Sequence, residues 1–428
     1  MNIIFVIIVL SAFFFAGWHQ IFFIPVIGGS SPMEVLSRAM IESAGGAVEL
    51  AIGLVGVMAL FLGLMKVAEA GGLLTILARL IRPLMVKLFP DVPADHPAMG
   101  AMILNLAANM LGLGNAATPF GIRAMQELDK LNPQPGTATN AMALFLAINT
   151  SSVTLLPTGV IALRAAAGAS DPAAILPTTL LATIGSTTVA VVAAKLYQRF
   201  SPVKVDAGPS LQQTPSNDGV EIPLEDAPEG YPLWVSFAAL TALVALIPVA
   251  VFYGRSISPW IIPALMVGFL CFGLVRRVRV YEVFVEGAKD GFRVAIRIIP
   301  YLVAILVAVD MLRASGVMNI IVGAIGGITG RFGLPAEALP MALMRPLSGS
   351  GAYGILASII NDPAIGPDSY TGYLVSTLQG STETTFYVLA VYFGAVQVRR
   401  IRHSLAAALT ADVAGVIFAV LACSFFLG

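Results

Sequence analysis

Two short polar runs interrupt long apolar sequence, one in each half of the chain: Asn149-Thr150-Ser151-Ser152-Val153-Thr154 and Gly380-Ser381-Thr382-Glu383-Thr384-Thr385. Each follows a second polar break. In the first half it runs from Asn105 and Asn109 through Gly114, Asn115 and Thr118; in the second it is Ser348-Gly349-Ser350-Gly351. Amides and hydroxyls of this kind both donate and accept, so they suit the edge of a base or a sugar. With unwound carbonyls they also suit sodium. Glu383 is the only acid within residues 371–396. A carboxylate there can take a proton, sodium or a solute hydroxyl, or it can be a structural hub that holds an unwound turn together. The candidate substrate- or ion-binding set is Asn105, Asn109, Asn115, Thr118, Asn149, Thr150, Ser151 and Ser152, with Ser348, Ser350, Gln379, Ser381, Thr382, Glu383 and Thr384.

Such breaks need a particular setting. Hydrocarbon cannot satisfy the hydrogen bonds of an opened helix, so irregular backbone at membrane depth survives only where it lines a cavity or packs on protein. Interrupted apolar segments at matching places in two halves point to a transport-type site near the bilayer midplane. The 428-residue chain is 57% hydrophobic and 11% charged. Soluble domains carry roughly 25% charge, so membrane segments are the body of this protein. The pattern predicts spans over 3–17, 45–65, 138–165, 172–196, 232–253, 258–275, 297–313, 371–396 and 403–427. Some are near the minimum length for a crossing, so tilt or flanking residues must help. Residues 73–120 and 317–360 are apolar but punctuated by Pro, Gly and Asn, and each reads as an in-plane helix followed by a re-entrant hairpin. Residues 2–17 lack the charged flank and clear cleavage site of a signal peptide and read as a retained first membrane helix. The fold class expected is an all-α polytopic membrane protein of two inverted repeats, with re-entrant hairpins and broken transmembrane helices.

Residues 201–230, rich in Pro, Asp, Glu and Gln, read as a polar linker between a first repeat over 1–200 and a second over 231–428. The halves look like diverged copies. Glu34-Val35 and Glu282-Val283 open equivalent amphipathic stretches, and Ala70-Gly71-Gly72-Leu73 matches Ala314-Ser315-Gly316-Val317. Pro97-Ala98-Met99 matches Pro340-Met341-Ala342, Asn105 matches Ser348, and Ser152 matches Glu383. Basic residues orient the copies. Lys66, Arg79, Arg82 and Lys87, then Lys195, Arg199 and Lys204, then Arg276, Arg277 and Arg279, and finally Arg399, Arg400 and Arg402 mark the cytoplasmic side. Asp362 and Asp368 flank a hairpin on the outside. Span 45–65 then runs inward and its mate 297–313 outward, which inverts the repeats and leaves the C-terminus outside. Charge is exchanged as well: Glu49 aligns with Arg297, Lys66 with Asp310 and Glu69 with Arg313. Charges near bilayer depth are usually paired, so Glu49 and Arg297 read as a cross-repeat ion pair or, equally, as helix-end charges. Lys66, Glu69 and Arg313 read as helix-end charges that reach the interface.

Catalysis finds no support. No His-Glu-x-x-His or Walker pattern occurs. Ser348-Gly349-Ser350-Gly351 does not meet the glycine pattern of a nucleophile elbow, and His19, His96 and His403 stand near segment ends. A net charge of zero offers nothing to a nucleic acid polymer. Cys271 and Cys423 lie in apolar stretches and read as small buried hydrophobes without metal-ligand spacing. No cofactor is expected, and no metal site is assigned.

The first half resembles spore maturation protein A through Asn105-Leu106-Ala107-Ala108-Asn109-Met110-Leu111-Gly112-Leu113-Gly114-Asn115-Ala116-Ala117-Thr118-Pro119 and Ala147-Ile148-Asn149-Thr150-Ser151-Ser152. The second resembles spore maturation protein B through Met344-Arg345-Pro346-Leu347-Ser348-Gly349-Ser350-Gly351 and the stretch from Gly380 through Glu383 to Tyr392-Phe393-Gly394. Together the chain looks like a fusion of the two. The resemblance implies a nucleoside recognition, or Gate, domain in each half, a class also seen in concentrative nucleoside transporters and in ferrous iron transporters. It implies a multi-pass protein of the bacterial inner membrane whose partners are the lipid bilayer and a small polar solute; a homo-oligomer is compatible with it. The function expected is secondary transport of that solute, nucleoside-like, coupled to sodium or protons at a midplane site between the repeats. The alternative is a non-transport membrane factor for spore or envelope maturation.

Overall fold

The computed structural model describes residues 2–25, 29–201 and 230–427. The expected linker 201–230 lies outside the described residues apart from Ser201 and Gly230, as do the side chains of Asn115 and Arg297. The first half forms α1 (Asn2–Ile21), α2 (Pro32–Ala70), α3 (Leu73–Leu88), α4 (Pro97–Met110), α5 (Gly114–Lys130), α6 (Asn140–Thr150), α7 (Thr158–Ala166) and α8 (Leu176–Tyr197). The second forms α9 (Leu233–Val275), α10 (Val280–Ser315), α11 (Val317–Thr329), α12 (Leu339–Met344), α13 (Gly349–Ile360), α14 (Tyr370–Ser381), α15 (Thr385–Ala395) and α16 (Ser404–Leu427). Among the described residues, Pro32–Ala70, Leu176–Phe200 and Ser404–Leu427 are each long and apolar enough to cross a membrane.

One succession occurs twice. A long helix (α2, α10) meets a glycine turn and a shorter helix (α3, α11). A two-helix hairpin follows (α4–α5, α12–α13), then two short helices with a break between them (α6–α7, α14–α15), and last a long apolar helix (α8, α16). Local chemistry is repeated too. Gly72 and Gly316 make the turns after α2 and α10 at φ +87° and +88°, a left-handed conformation that costs glycine nothing. Thr139 caps α6 by accepting from Met142 N–H, and Ser369 caps α14 by accepting from Gly372 N–H. The broken spans therefore start from equivalent caps.

Packing joins the halves rather than separating them. α10 lies along α2, and α16 along α8. Small residues let the first pair approach: a Cβ on Gly291 would stand 2.6 Å from the Ala59 Cα. One apolar core is built from α3 to α6 with α15 and the start of α16, including Met102, Phe145, Leu389 and Ala407. The other combines α2 and α7 with α10, α13, α14 and the end of α16, including Phe61, Ile161, Leu356 and Leu374. Each core draws on both halves.

Three expectations are corrected. The spans expected over 232–253 and 258–275 are one helix, α9, because the apolar sequence on either side carries the helix across Gly254-Arg255-Ser256. The first hairpin runs past residue 120 to Lys130, since Glu127 is held by Arg123 at 2.8 Å and by Lys130 at 2.9 Å and extends α5. Cys423 is buried as expected, but Cys271 is exposed.

Candidate functional site

The breaks do not coincide with the polar runs that announced them. α4 continues through Asn105 and Asn109 and opens only at Leu111–Leu113. α6 includes Asn149 and Thr150 and opens over 151–157; Thr150 and Ser151 turn their hydroxyls back on the Ala147 carbonyl, and Pro157 has no N–H to resume the ladder. In the second half the hairpin opens over 345–348, and Ser348 is the cap of α13, accepting from Gly351 N–H at 3.0 Å. α14 opens over 382–384.

These breaks meet. The Glu383 N–H donates to the Thr150 carbonyl at 2.8 Å, so the opened end of α6 is satisfied by the opened end of α14. Each break is also tied to the hairpin of its own half. Leu155 N–H donates to Met110 C=O at 2.9 Å, and Phe386 N–H to Pro346 C=O at 3.1 Å.

The asparagines form one buried network on the first-half side. Asn109 Nδ2 donates to Asn149 Oδ1 at 2.9 Å, and Asn149 Nδ2 donates to the Phe145 carbonyl at 2.9 Å. The Tyr392 hydroxyl reaches the same Oδ1 at 3.3 Å and accepts from Asn105 Nδ2 at 3.1 Å. Asn105 Nδ2 also bonds the Ala117 carbonyl at 2.7 Å, which ties α4 to α5. Tyr392 comes from α15, so this network too crosses between the halves.

On the second-half side the centre is Arg345, just past α12. Its Nε donates to the Gln379 carbonyl at 3.1 Å, one terminal nitrogen donates to Thr384 Oγ1 at 3.1 Å, and the other faces Glu383 at 3.6 Å. Glu383, the only acid within residues 371–396, is thus paired, and its side chain is 49% exposed. Sequence reasoning missed Arg345. The signal was there, since it is the only cation between 332 and 398 and stands beside Pro346 in apolar sequence. It also missed Asp412, the only charged residue of α16, whose Oδ2 accepts from Thr385 Oγ1 at 2.8 Å.

Between the two sides lies a cavity of about 550 Å³. Of the expected site residues, Asn109, Gln379, Glu383 and Thr384 line it, joined by Thr154 and Thr158, by Arg345 and Tyr353, and by Lys66, Glu69 and Asp290 on the long helices. Asn105, Asn149, Thr150, Ser151, Ser152, Ser381 and Thr382 are buried behind that wall and hold its shape. Ser348 caps a helix, Ser350 and Thr118 are not among the lining residues, and the side chain of Asn115 is outside the described ones. Lys66 pairs with Glu69 at 3.3 Å, while at the aligned place Asp310 and Arg313 stand 4.0 Å apart and Arg313 meets Asp362 at 3.1 Å. Glu49 is exposed, and its expected partner Arg297 lies outside the described side chains.

A second polar cluster also joins the halves away from the cavity. Arg164 of α7 is fully buried, bonds the Pro367 carbonyl at 2.6 Å, pairs with Asp368 at 3.2 Å and stacks 4.3 Å over the Tyr373 ring. Burial beside it pushes the Asp171 carboxyl above its ordinary range.

Known proteins match sequence in both halves of the chain. The family model for Gate, nucleoside recognition, matches residues 51–167 and 295–399. Spore maturation protein A of Bacillus subtilis (strain 168) is 48% identical over 152 residues, which span 36% of this chain and 78% of that protein. Spore maturation protein B of the same organism is 42% identical over 167 residues, 39% of this chain and 93% of that protein. Inner membrane protein YjiG of Escherichia coli (strain K12) is 29% identical over 103 residues, 24% of this chain and 64% of that protein. Among solved structures, CNTnw in an inward-facing substrate-bound state is 14% identical with a TM-score of 0.39, covering 99% of this chain and 91% of that one. The YdaH transporter of Alcanivorax borkumensis is 16% identical with a TM-score of 0.37, covering 99% and 97%. The described residues hold three helices long and apolar enough to cross a membrane, and the relative YjiG is named as an inner membrane protein.

Proposed function

Since the chain belongs to the Gate, or nucleoside recognition, family, we propose that it is a secondary transporter of a small polar solute with nucleoside-like hydrogen-bonding demands. One observation carries this reading. The cavity of about 550 Å³ has walls from both halves and is lined by polar groups beside both breaks. Ligand pockets run from about 300 to 1,000 Å³, so a nucleoside-sized solute fits. Glu383 is half exposed to the cavity, with acceptor capacity beyond Arg345 for solute hydroxyls. Asn109 and Gln379 offer amides for the edge of a base. Arg345, held by three contacts within the second half, fixes the wall of the cavity. Inverted repeats exchange which half opens, so the site serves each side of the membrane in turn. Coupling to sodium or protons supplies the driving force.

The names of two relatives favour a second reading, a non-transport factor for spore or envelope maturation. Such a factor has no use for a solute-sized polar cavity. The purified protein, screened by thermal shift against nucleosides, bases, organic acids and metal ions and then assayed for uptake in proteoliposomes, separates the two. Transport requires at least one solute that stabilises the protein and accumulates. No stabilising solute and no uptake would favour the maturation factor.

A further inference from the structure

Asp412 sits in α16, which packs on α6, α8, α14 and α15. It is 5% exposed, and while Oδ2 accepts from Thr385 Oγ1, its Oδ1 is buried with no partner among the described residues. Thr385 is the first residue of α15 and follows Thr384, which lines the cavity and is held by Arg345. A carboxylate with a bare buried oxygen in a membrane-spanning helix is costly, and a proton on that oxygen removes the cost. We propose that Asp412 is a proton-binding site tied to the second break, taking a proton on Oδ1 and releasing it when the Thr385 contact changes.

The step is a single exchange. An O–H bond forms at Oδ1 as one breaks on hydronium, the carboxylate becomes neutral, and release reverses both. Arg345, itself bound to Glu383, is the cation on this side. α6 presents no titratable group. α8 carries Lys195 and Tyr197 in its last turn, and Tyr197 bonds Thr410. α14 carries Tyr370 and Tyr373, and α15 carries Tyr387 and Tyr392. Among the described side chains of these helices the basic one, Lys195, is spent on the Leu88 carbonyl at 2.9 Å, which leaves the role to the proton on Oδ1.

The inference leans on the transport reading only for what the proton would drive, so it is tested without a solute. Infrared difference spectra of the full-length protein in lipid, taken across a pH jump, should contain a protonated-carboxyl band that Asp412→Asn removes. Asn keeps an acceptor for Thr385 but cannot exchange a proton. Thr385→Val should shift that band without removing it. A band that survives in Asp412→Asn overturns the proposal. Should that variant not reach the membrane, Thr385→Val decides, because the Thr385 hydroxyl bonds Asp412: a protonated band that shifts in it supports the proposal, and spectra identical to the parent's overturn it. A positive result with no solute taken up would leave the proton site standing and remove only the transport reading.

Discussion

At the scale of single residues, Glu383 and Arg345 divide roles that the sequence assigns to one of them. Glu383 is half exposed and its ion pair is 3.6 Å long, and pairs open to water are worth about 0–1 kcal/mol. Arg345 is buried and donates to the Gln379 carbonyl and to Thr384 as well. Hydrogen bonds from a charged group are worth about 1.5–3 kcal/mol each. Arg345→Ala should therefore lower stability by about 3 kcal/mol or more, while Glu383→Gln should stay within about 1 kcal/mol of the parent. Thermal unfolding in detergent measures both. If Glu383 binds solute, the Gln variant should insert normally and lose ligand-induced stabilisation. Normal stabilisation would make the charge dispensable, and a variant that fails to accumulate in the membrane would make Glu383 the structural hub. The clamp around Arg164 gives a third expectation. Asp368→Asn leaves a fully buried guanidinium without its carboxylate and should cost about 2 kcal/mol.

At the scale of elements, the broken spans depend on close approach between halves. A Cβ on Gly159 of α7 would stand 2.5 Å from the Tyr353 hydroxyl of α13 and 3.2 Å from the ring carbon that bears it. Gly→Ala in a helix ordinarily stabilises by up to about 1 kcal/mol. Here overpacking should win, and Gly159→Ala should destabilise by about 1–3 kcal/mol. Tyr353→Phe deletes the clashing oxygen, so the double variant should recover most of that loss in a thermal double-mutant cycle. Equal losses with and without the hydroxyl would refute the contact. Contacts of this kind explain where sequence reading stopped. The breaks and the paired glycine turns were legible because they depend on local backbone chemistry. Which hydroxyls face a cavity was not. Thr150, Ser151 and Ser381 satisfy themselves on their own helix, an outcome as available to a hydroxyl as binding. Arg345 and Asp412 went unread because their partners lie 34 and 27 residues away: a lone charge in apolar sequence marks the residue but not the group that holds it.

At the scale of the whole molecule, the paired contacts bear on topology. Helices at corresponding places in the two halves pack on each other, α2 on α10 and α8 on α16. The hairpin of each half contributes to a wall completed by the other half: Tyr392 reaches the α4–α5 hairpin, and Tyr353 of α13 meets Gly159 of α7. Exchange of this sort is what a pseudo-two-fold axis produces. The i,i+3 charges fit the same operation with sign reversed, Lys66 and Glu69 on α2 against Asp310 and Arg313 on α10. Such an axis in the membrane plane inverts the repeats, and basic residues would then stand inside with the loop after α13 outside. The test is labelling by an impermeant thiol reagent, after Cys271 and Cys423 are replaced by Ser. A cysteine in place of Ser216, in the acidic and proline-rich segment between the halves, should react only from the cytoplasmic face. A cysteine in place of Ala364, exposed in the loop after α13, should react only from the opposite face. Reaction of both from one face would leave the repeats parallel, and alternating access by exchange of inverted halves would have to be abandoned.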